Sequence, residues 1–406
     1  MIDKFGKNPH IIVKLMQYYP ESQDAIRLFE SCSQASRKNP YLLHQAGVAY
    51  RKKQRFSKSI YALSEALDSL DEDIYIINEL GLSFRTNKQY TQAIEKFKKA
   101  IELANRINAS ADYSLCHLGI SHLEYGDYFN AEKALVQIAN ISHLSEITRG
   151  KLFRETGQHE KALDLFSGSN FENSQEVFYH LLQTYLFFLQ DPSLAQNFCN
   201  GNAGIITKYR KFVSSIDSIL SIRFDDISAY KSYITEAINC RVYSQVLNLL
   251  TSLEERFPFS AYVKTRIART LCTPVIGRFS ESQRYFQSAI QLLSNENSME
   301  VDSQQKIQVT MMHYLNCLLL NNQFNDIEQK LSNKNYEKSS MYFNFLARYE
   351  YKKNRDISNA ISHYNQAILI SPSKNKRDYC ERLLRFLWDK DIELYKHYFK
   401  QYDHNL

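Results

Sequence analysis

Gly47, Gly81, Gly119 and Gly150 stand 34, 38 and 31 residues apart, and each opens the same spaced series of side chains. Three residues on comes a ring, Tyr50, Phe84, His122 or Phe153, and nine on another, Phe56, Tyr90, Tyr128 or His159. A small residue follows at twelve (Ser59, Ala93, Ala131, Ala162) and an apolar plug at sixteen (Leu63, Phe97, Leu135, Phe166). A period of this size is that of a supersecondary unit, which constrains the chain to a stacked array whose units bury their apolar faces against one another. Within a unit the apolar residues recur at helical spacing. Ile77, Leu80, Gly81 and Phe84 precede the break Thr86-Asn87-Lys88-Gln89, and Ala93, Ile94, Phe97, Ala100 and Ile101 follow it. Each unit therefore reads as an antiparallel helix pair. A helical glycine costs about 1 kcal/mol relative to alanine. Its recurrence with a small residue twelve places on predicts close approach of the two backbones, with rings filling the wider parts of the groove.

Leu80-Gly81-x2-Phe84 with Ala93-x3-Phe97, and Leu118-Gly119-x2-His122 with Ala131-x3-Leu135, resemble the tetratricopeptide repeat, whose signature runs W-x2-L-G-x2-Y, then A-x3-F, then P. The unit at Gly150 departs from it, with Arg149 in place of leucine and Glu146 at the tryptophan position, where the other units carry Leu43, Ile77 and Leu115. The resemblance implies an all-α fold, a right-handed superhelical solenoid of stacked antiparallel helix pairs, with the first helix of each pair lining a concave groove.

Upstream, Asn8-Pro9 precedes Ile12, Leu15, Met16 and Tyr19, and Ala25-x3-Phe29 follows, so residues 1–39 read as a divergent N-terminal helix pair closed by Asn39-Pro40. Residues 40–170 form the regular array. The phase is lost over 171–226, where Gln190-Asp191-Pro192-Ser193 and Asn200-Gly201-Asn202-Ala203-Gly204 signal loops, although helical periodicity runs from Phe178 to Leu189 and from Ile205 to Ile222. That stretch is either an irregular repeat with longer loops or a hinge between two arms. The phase returns without glycine over 227–374, in Tyr243, Val246 and Leu250, in Phe279, Ser282, Phe286 and Ala289, in Phe324, Ile327 and Leu331, and in Ala360-x3-Tyr364-x2-Ala367. Residues 375–406 hold an aromatic and charged segment, Tyr379 to Tyr402, expected to be a C-terminal capping helix.

Only 11 glycines and 7 prolines among 406 residues fit long helices with short links. No apolar run approaches the ~20 residues that a bilayer span needs, and the N-terminus leads into an amphipathic helix rather than a signal peptide's apolar core. The seven cysteines, Cys32, Cys116, Cys199, Cys240, Cys272, Cys317 and Cys380, stand at no metal-ligand spacing, and their odd number argues against a complete disulfide framework. They are expected as small buried apolar residues in a reducing, cytoplasmic compartment. The net charge of +6 is modest for this length. Its clusters, Arg51-Lys52-Lys53, Lys208-Tyr209-Arg210-Lys211, Lys352-Lys353 and Lys374 to Arg385, are expected mainly as solvated helix ends, and nucleic acid is not an expected partner.

No catalytic constellation stands in the sequence. Gly201 to Lys208 has the wrong spacing for a phosphate loop, His159-Glu160 lacks the second histidine of H-E-x-x-H, and no G-x-S-x-G elbow occurs. His117 and His122, five residues apart, do not have the i, i+4 spacing suited to sharing a metal. No catalytic residue, cofactor or metal ligand is assigned, and the chain is expected not to be an enzyme.

The candidate site lies six residues before three successive glycines, where Tyr41, Tyr75 and Tyr113 form one rung per unit. By the resemblance these early positions of the first helix face the groove, where a tyrosine offers a broad ring at low entropic cost and a hydroxyl for hydrogen bonding. The same rings would also serve to pack against the preceding second helix. With His44, Asn78, Glu79 and His117 they make up the expected partner-binding set. The lysine and asparagine by which repeats of this family clamp the terminal carboxylate of heat-shock chaperones are replaced by His44, Val48, Glu79, Tyr113 and His117, so no chaperone-tail binding is expected. The functional expectation is an interaction scaffold or adaptor that binds a protein or peptide partner in the groove. Two alternatives stay open: a repeat sensor arm of a larger signalling or defence complex, and an RNA-binding helical repeat. The aromatic last segment, with Phe386, Trp388, Tyr395 and Phe399, leaves room for homo-oligomer formation through the end repeats.

Overall fold

The computed structural model describes residues 9–18, 23–32, 37–70, 72–168, 175–202, 227–295, 301–332 and 338–406. Every regular element among them is helical. The chain forms two compact units: Met1–Phe171 together with Cys380–Leu406, and Glu172–Tyr379.

The first unit begins with α1 (Pro9–Tyr18) and α2 (Gln23–Ser31). Ile12, Met16, Ile26, Phe29 and Cys32 bury against Leu42, Ala46, Ala49 and Tyr50 of the next helix. Four pairs follow: α3 (Pro40–Lys52) with α4 (Phe56–Ser69), α5 (Ile74–Thr86) with α6 (Tyr90–Arg106), α7 (Asp112–Tyr125) with α8 (Tyr128–Val136), and α9 (His143–Glu155) with α10 (His159–Ser167). Each helix packs on its pair partner and on the next pair in sequence, which is the stacking expected of an array that grows in one dimension.

The repeated glycine has a sharper cause than close approach to the small residue twelve places on. A Cβ at Gly47 would lie 2.5 Å from Leu63 Cγ, at Gly81 2.8 Å from Phe97 Cε1, at Gly119 2.8 Å from Leu135 Cγ, and at Gly150 2.6 Å from Phe166 Cε1. The plug of the second helix thus occupies the space of the absent side chain in all four pairs. The small residue makes the neighbouring contact: the Ser59 hydroxyl donates to the Gly47 carbonyl at 2.7 Å, and the Ala131 carbonyl lies 3.5 Å from the Gly119 position.

The turns between paired helices share one geometry. Seven residues after each glycine the backbone is left-handed, at Gln54 (φ 58°), Lys88 (φ 61°), Gly126 (φ 92°) and Gly157 (φ 83°). The amide one residue later then donates back to the carbonyl of the ring at position three: Arg55 to Tyr50, Gln89 to Phe84, Asp127 to His122 and Gln158 to Phe153, at 2.8 to 2.9 Å. This closure satisfies carbonyls that a helix end leaves open. Asn39 and Asp73 cap the first helices of their pairs by accepting from the amides of Tyr41 and Leu42, and of Tyr75 and Ile76.

The C-terminal segment is two helices rather than the single one expected. α21 (Ser373–Trp388) ends before Asp391, whose side chain accepts from the amides of Glu393 and Leu394 and so starts α22 (Ile392–Tyr402). From Cys380 on, this hairpin covers α4, α5 and α6 of the first unit. Trp388 meets Phe84 edge-on at 5.1 Å and Phe399 stacks on Tyr61 at 4.1 Å. Polar contacts join the same surfaces: buried Glu381 accepts from the Ser57 amide at 3.2 Å and from its hydroxyl, Arg385 donates to Asn87 Oδ1 at 2.6 Å, and Lys58 pairs with Asp403 at 3.0 Å.

The second unit contains α11 (Gln175–Gln183), running into a π turn over Thr184–Phe188, then α12 (Pro192–Gly201), α13 (Ser228–Asn239) and α14 (Tyr243–Arg256). Helices α15 (Ala261–Leu271), α16 (Phe279–Asn295), α17 (Val301–Leu320), α18 (Phe324–Ser332), α19 (Ser340–Asn354) and α20 (Ile357–Ile370) follow. Buried Ile234 and Leu315 stand sixteen residues before Leu250 and Leu331, where the regular pairs carry glycine. The left-handed turn persists seven residues after them, at Arg241 and Asn322. Of the two loop signals, Gln190-Asp191 breaks the chain before α12, whereas Asn200 and Gly201 end that helix. Ala203-Gly204, the expected helix from Ile205 to Ile222 and the basic cluster Lys208 to Lys211 lie outside the described residues.

Gly47→Ala tests the plug contact. Alanine favours the helix by about 1 kcal/mol, but overpacking a filled site costs about 1–3 kcal/mol, and Leu63 is fully buried. The variant should be less stable by about 1 kcal/mol in urea unfolding. Gly47→Ala with Leu63→Ala should cost less than the two single changes added together.

Candidate functional site

Tyr41, Tyr75 and Tyr113 are each the second residue of a first helix, α3, α5 and α7, and these three helices pack side by side. That position lies a turn and a half before the buried glycine. The rings are 54%, 77% and 51% exposed, whereas Phe84 and Phe97 of the second pair are wholly buried. The helix caps at Asn39 and Asp73 hold the amides of Tyr41 and Tyr75, so two of the rungs leave from fixed backbone.

The remaining expected site residues take different places around the ladder. His44 is half-buried on α3, and burial lowers its pKa against the opposing pull of Glu79 and Asp73. Asn78 is buried and accepts from the Ser114 hydroxyl at 2.9 Å, which makes it a polar link between α5 and α7. Glu79 is half-buried and paired with Arg51 at 2.6 Å. His117 is buried between Phe97, stacked at 5.7 Å, and Tyr113, edge-on at 4.5 Å, and its Nδ1 has no hydrogen-bond partner. Burial first, and then the charges of Arg85 and Arg51, push its pKa down to about 3. His117 is accordingly a neutral aromatic support for Tyr113 at physiological pH.

The arginines four residues after the glycine join this face, and Arg51 is not the solvated helix end expected of its basic cluster, since its side chain is only 18% exposed. Arg51 pairs with Glu79 of the next first helix, and Arg85 pairs with Glu124 of the one after it at 3.2 Å. The spacing was available as a signal, since Arg51, Arg85 and Arg154 recur in register, but Leu123 breaks it at the third unit. Together the residues give a face of exposed rings beside arginine–glutamate pairs. Such a face can stack on apolar side chains and exchange hydrogen bonds with a backbone or with charged groups. Among the described residues, no group of three or more His, Cys, Asp or Glu is placed to hold a metal ion.

A sequence profile of the tetratricopeptide repeat matches residues 74–106, which are α5, its left-handed turn and α6, the pair in which Phe97 fills the space of Gly81. Residues 74–106 are a tetratricopeptide repeat. The glycine, plug and turn that define the matched repeat recur at Gly47, Gly119 and Gly150. Among solved structures, the chain is similar to the apo form of the quorum sensor NprR from B. thuringiensis, with 13% identity and a TM-score of 0.43 over 70% of this chain and 87% of that one. It is also similar to the TPR2AB-domain complex of yeast Sti1 with pHSP90, with 13% identity and a TM-score of 0.27 over 68% and 98% of the two chains. A third is the TPR domain of P58(IPK), with 12% identity and a TM-score of 0.25 over 89% and 98%. No curated protein matches the chain in sequence. No helix among the described residues is long and apolar enough to cross a membrane.

His117 makes the stability of the repeats depend on pH. The unfolded chain takes up a proton there near pH 6.5, while the folded chain resists it down to about pH 3. Stability is therefore full above pH 6.5 and drains as pH falls through that window, by roughly 2 kcal/mol between pH 6.5 and 5 for this one group. Urea unfolding at the two pH values should show that loss, and His117→Phe should flatten it.

Proposed function

We propose that this protein is an interaction scaffold whose first unit captures a segment of a partner protein on the face carrying Tyr41, Tyr75 and Tyr113. The observation that carries the reading is the exposure of three aromatic rings at the same register of three adjacent first helices. Burial of such rings against a partner supplies most of the binding free energy at an interface, with surrounding groups setting register. Arg51–Glu79 and Arg85–Glu124 flank them with paired charges, which suits a segment carrying both apolar side chains and polar backbone. No group on this face is assigned a catalytic role, in keeping with tetratricopeptide-repeat proteins generally being non-catalytic adaptors.

Peptides selected against the full chain from a randomised display library serve as probes. The variant with alanine at Tyr41, Tyr75 and Tyr113 should bind them at least about tenfold more weakly, a loss of about 1.4 kcal/mol or more, with the helical circular dichroism unchanged. Equal affinity for the variant would remove the tyrosine face from the proposal.

A further inference from the structure

Charge in the second unit is sorted by helix. α15, the first helix of its pair, carries Lys264, Arg266 and Arg269 and no carboxylate, and the carboxylates of the second helices beside it are engaged elsewhere. Glu254 of α14 accepts from Lys264 at 2.6 Å and from the Tyr285 hydroxyl at 2.9 Å, and Glu328 of α18 accepts from the Tyr349 hydroxyl at 2.9 Å and from Lys353. Lys231 of α13 and Arg266 lie instead over the ring of Tyr262, 5.1 and 5.4 Å from its centroid. An aromatic face is a weaker partner for a cation than a carboxylate is. The Tyr262 hydroxyl is shut off from solvent and has no hydrogen-bond partner. Among the described residues, Lys231, Arg266 and Arg269 meet no carboxylate.

The same register that exposes the tyrosines of the first unit sets this arrangement. The Ser282 hydroxyl donates to the Ala268 carbonyl at 2.7 Å as Ser59 does to Gly47, so Ala268 holds the glycine's place. Tyr262, six residues earlier and second in its helix, holds the place of Tyr41. Arg269 follows Arg266 by three residues, shares its helix face and is exposed. α15 packs on α17, and α17 on α19. On α17, burial first and then the charges of Arg269 and Arg266 push the pKa of His313 down to about 4, so it is neutral at physiological pH. Three residues on, Asn316 accepts from exposed Arg348 of α19 at 2.7 Å, which extends the basic face across a further pair.

From this sorting we infer that the face shared by α13, α15, α17 and α19 docks an acidic segment of a partner protein, its aspartate and glutamate side chains pairing with Lys231, Arg266, Arg269 and Arg348. This is a second surface, in the other unit, with chemistry different from that of the tyrosine face. An arginine fork takes a carboxylate through two parallel hydrogen bonds, and a carboxylate that draws Lys231 or Arg266 off the Tyr262 ring replaces a weak partner with a strong one. Cations spread over four first helices match an extended polyanion rather than a single small anion. Single-stranded RNA is the other extended polyanion, but its binding uses rings on which bases stack. No tyrosine, phenylalanine or tryptophan of these four helices is among the exposed side chains of the described residues, which favours the acidic protein segment.

A fluorescein-labelled oligoglutamate peptide, titrated with the full chain in fluorescence polarisation, is the probe, with a labelled oligouridine of similar length beside it. The chain should bind the peptide, more weakly as salt rises, and should bind it more tightly than the RNA. Lys231→Glu, Arg266→Glu and Arg269→Glu combined should weaken binding at least about tenfold with the helical circular dichroism unchanged. Glutamine at the same three positions, which removes charge without introducing any, should weaken it in the same direction. Lys88→Glu, Lys98→Glu and Lys99→Glu combined, which change the net charge equally on exposed positions of the first unit, should leave it within about twofold, as should alanine at Tyr41, Tyr75 and Tyr113. No binding of the peptide, equal loss in the Lys88, Lys98 and Lys99 variant, unchanged affinity in both variants of Lys231, Arg266 and Arg269, or tighter binding of the RNA would overturn the inference.

Discussion

Leu63, Phe97, Leu135 and Phe166 rest where a side chain would otherwise stand on the glycine sixteen residues earlier, and the regular array depends on that contact. Full burial of a leucine or phenylalanine stabilises by about 1.5–3 kcal/mol, more than the about 1 kcal/mol that glycine costs in a helix. The exchange is favourable only if the two helices of a pair are held in a single register. The left-handed turn seven residues after the glycine does this. It returns the chain so that the small residue at twelve meets the glycine's backbone and the plug at sixteen fills its space. With that register set, the second residues of α3, α5 and α7 come out at matching places, which is how Tyr41, Tyr75 and Tyr113 come to be exposed together.

Much of this was legible because it is periodic. The glycine, ring, small residue and plug recur in sequence, and each maps onto a contact that recurs in space. The turn was only half legible: Gly126 and Gly157 advertise a left-handed residue, but Gln54 and Lys88 occupy the same conformation with side chains that give no such signal. The tyrosine positions could be read, whereas the choice between packing inward and standing exposed depends on neighbours such as His117 and Phe97 that the spacing does not name. Asn78 shows the same limit, since its partner Ser114 lies on the next first helix. Arg51 and Arg85 stand in register, but their role appears only when Glu79 and Glu124 are placed opposite them.

The C-terminal hairpin has no periodic signature at all. Glu381 meets Ser57 across 324 residues of chain, and Arg385 meets Asn87 across 298; nothing in the local pattern of either segment marks the other. The consequence is a first unit assembled from two separated stretches, 1–171 and 380–406, with the second unit inserted between them. Trp388 meets Phe84 of α5 and Phe399 stacks on Tyr61 of α4, while Tyr41, Tyr75 and Tyr113 at the starts of α3, α5 and α7 stay exposed. In the second unit the glycine places are taken by Ile234 and Leu315, yet the turn survives, which shows that the pair geometry is carried by the turn as well as by the missing side chain.

Native-state hydrogen exchange over the first unit tests most directly whether the repeats and the hairpin form one body closed around the glycine contacts. The amides of α22, and those of α21 from Cys380 onward, should open with the same free energy as those of α4, α5 and α6 and respond together to denaturant. Fast exchange of residues 380–402 at denaturant concentrations that leave α4 to α6 fully protected would contradict it.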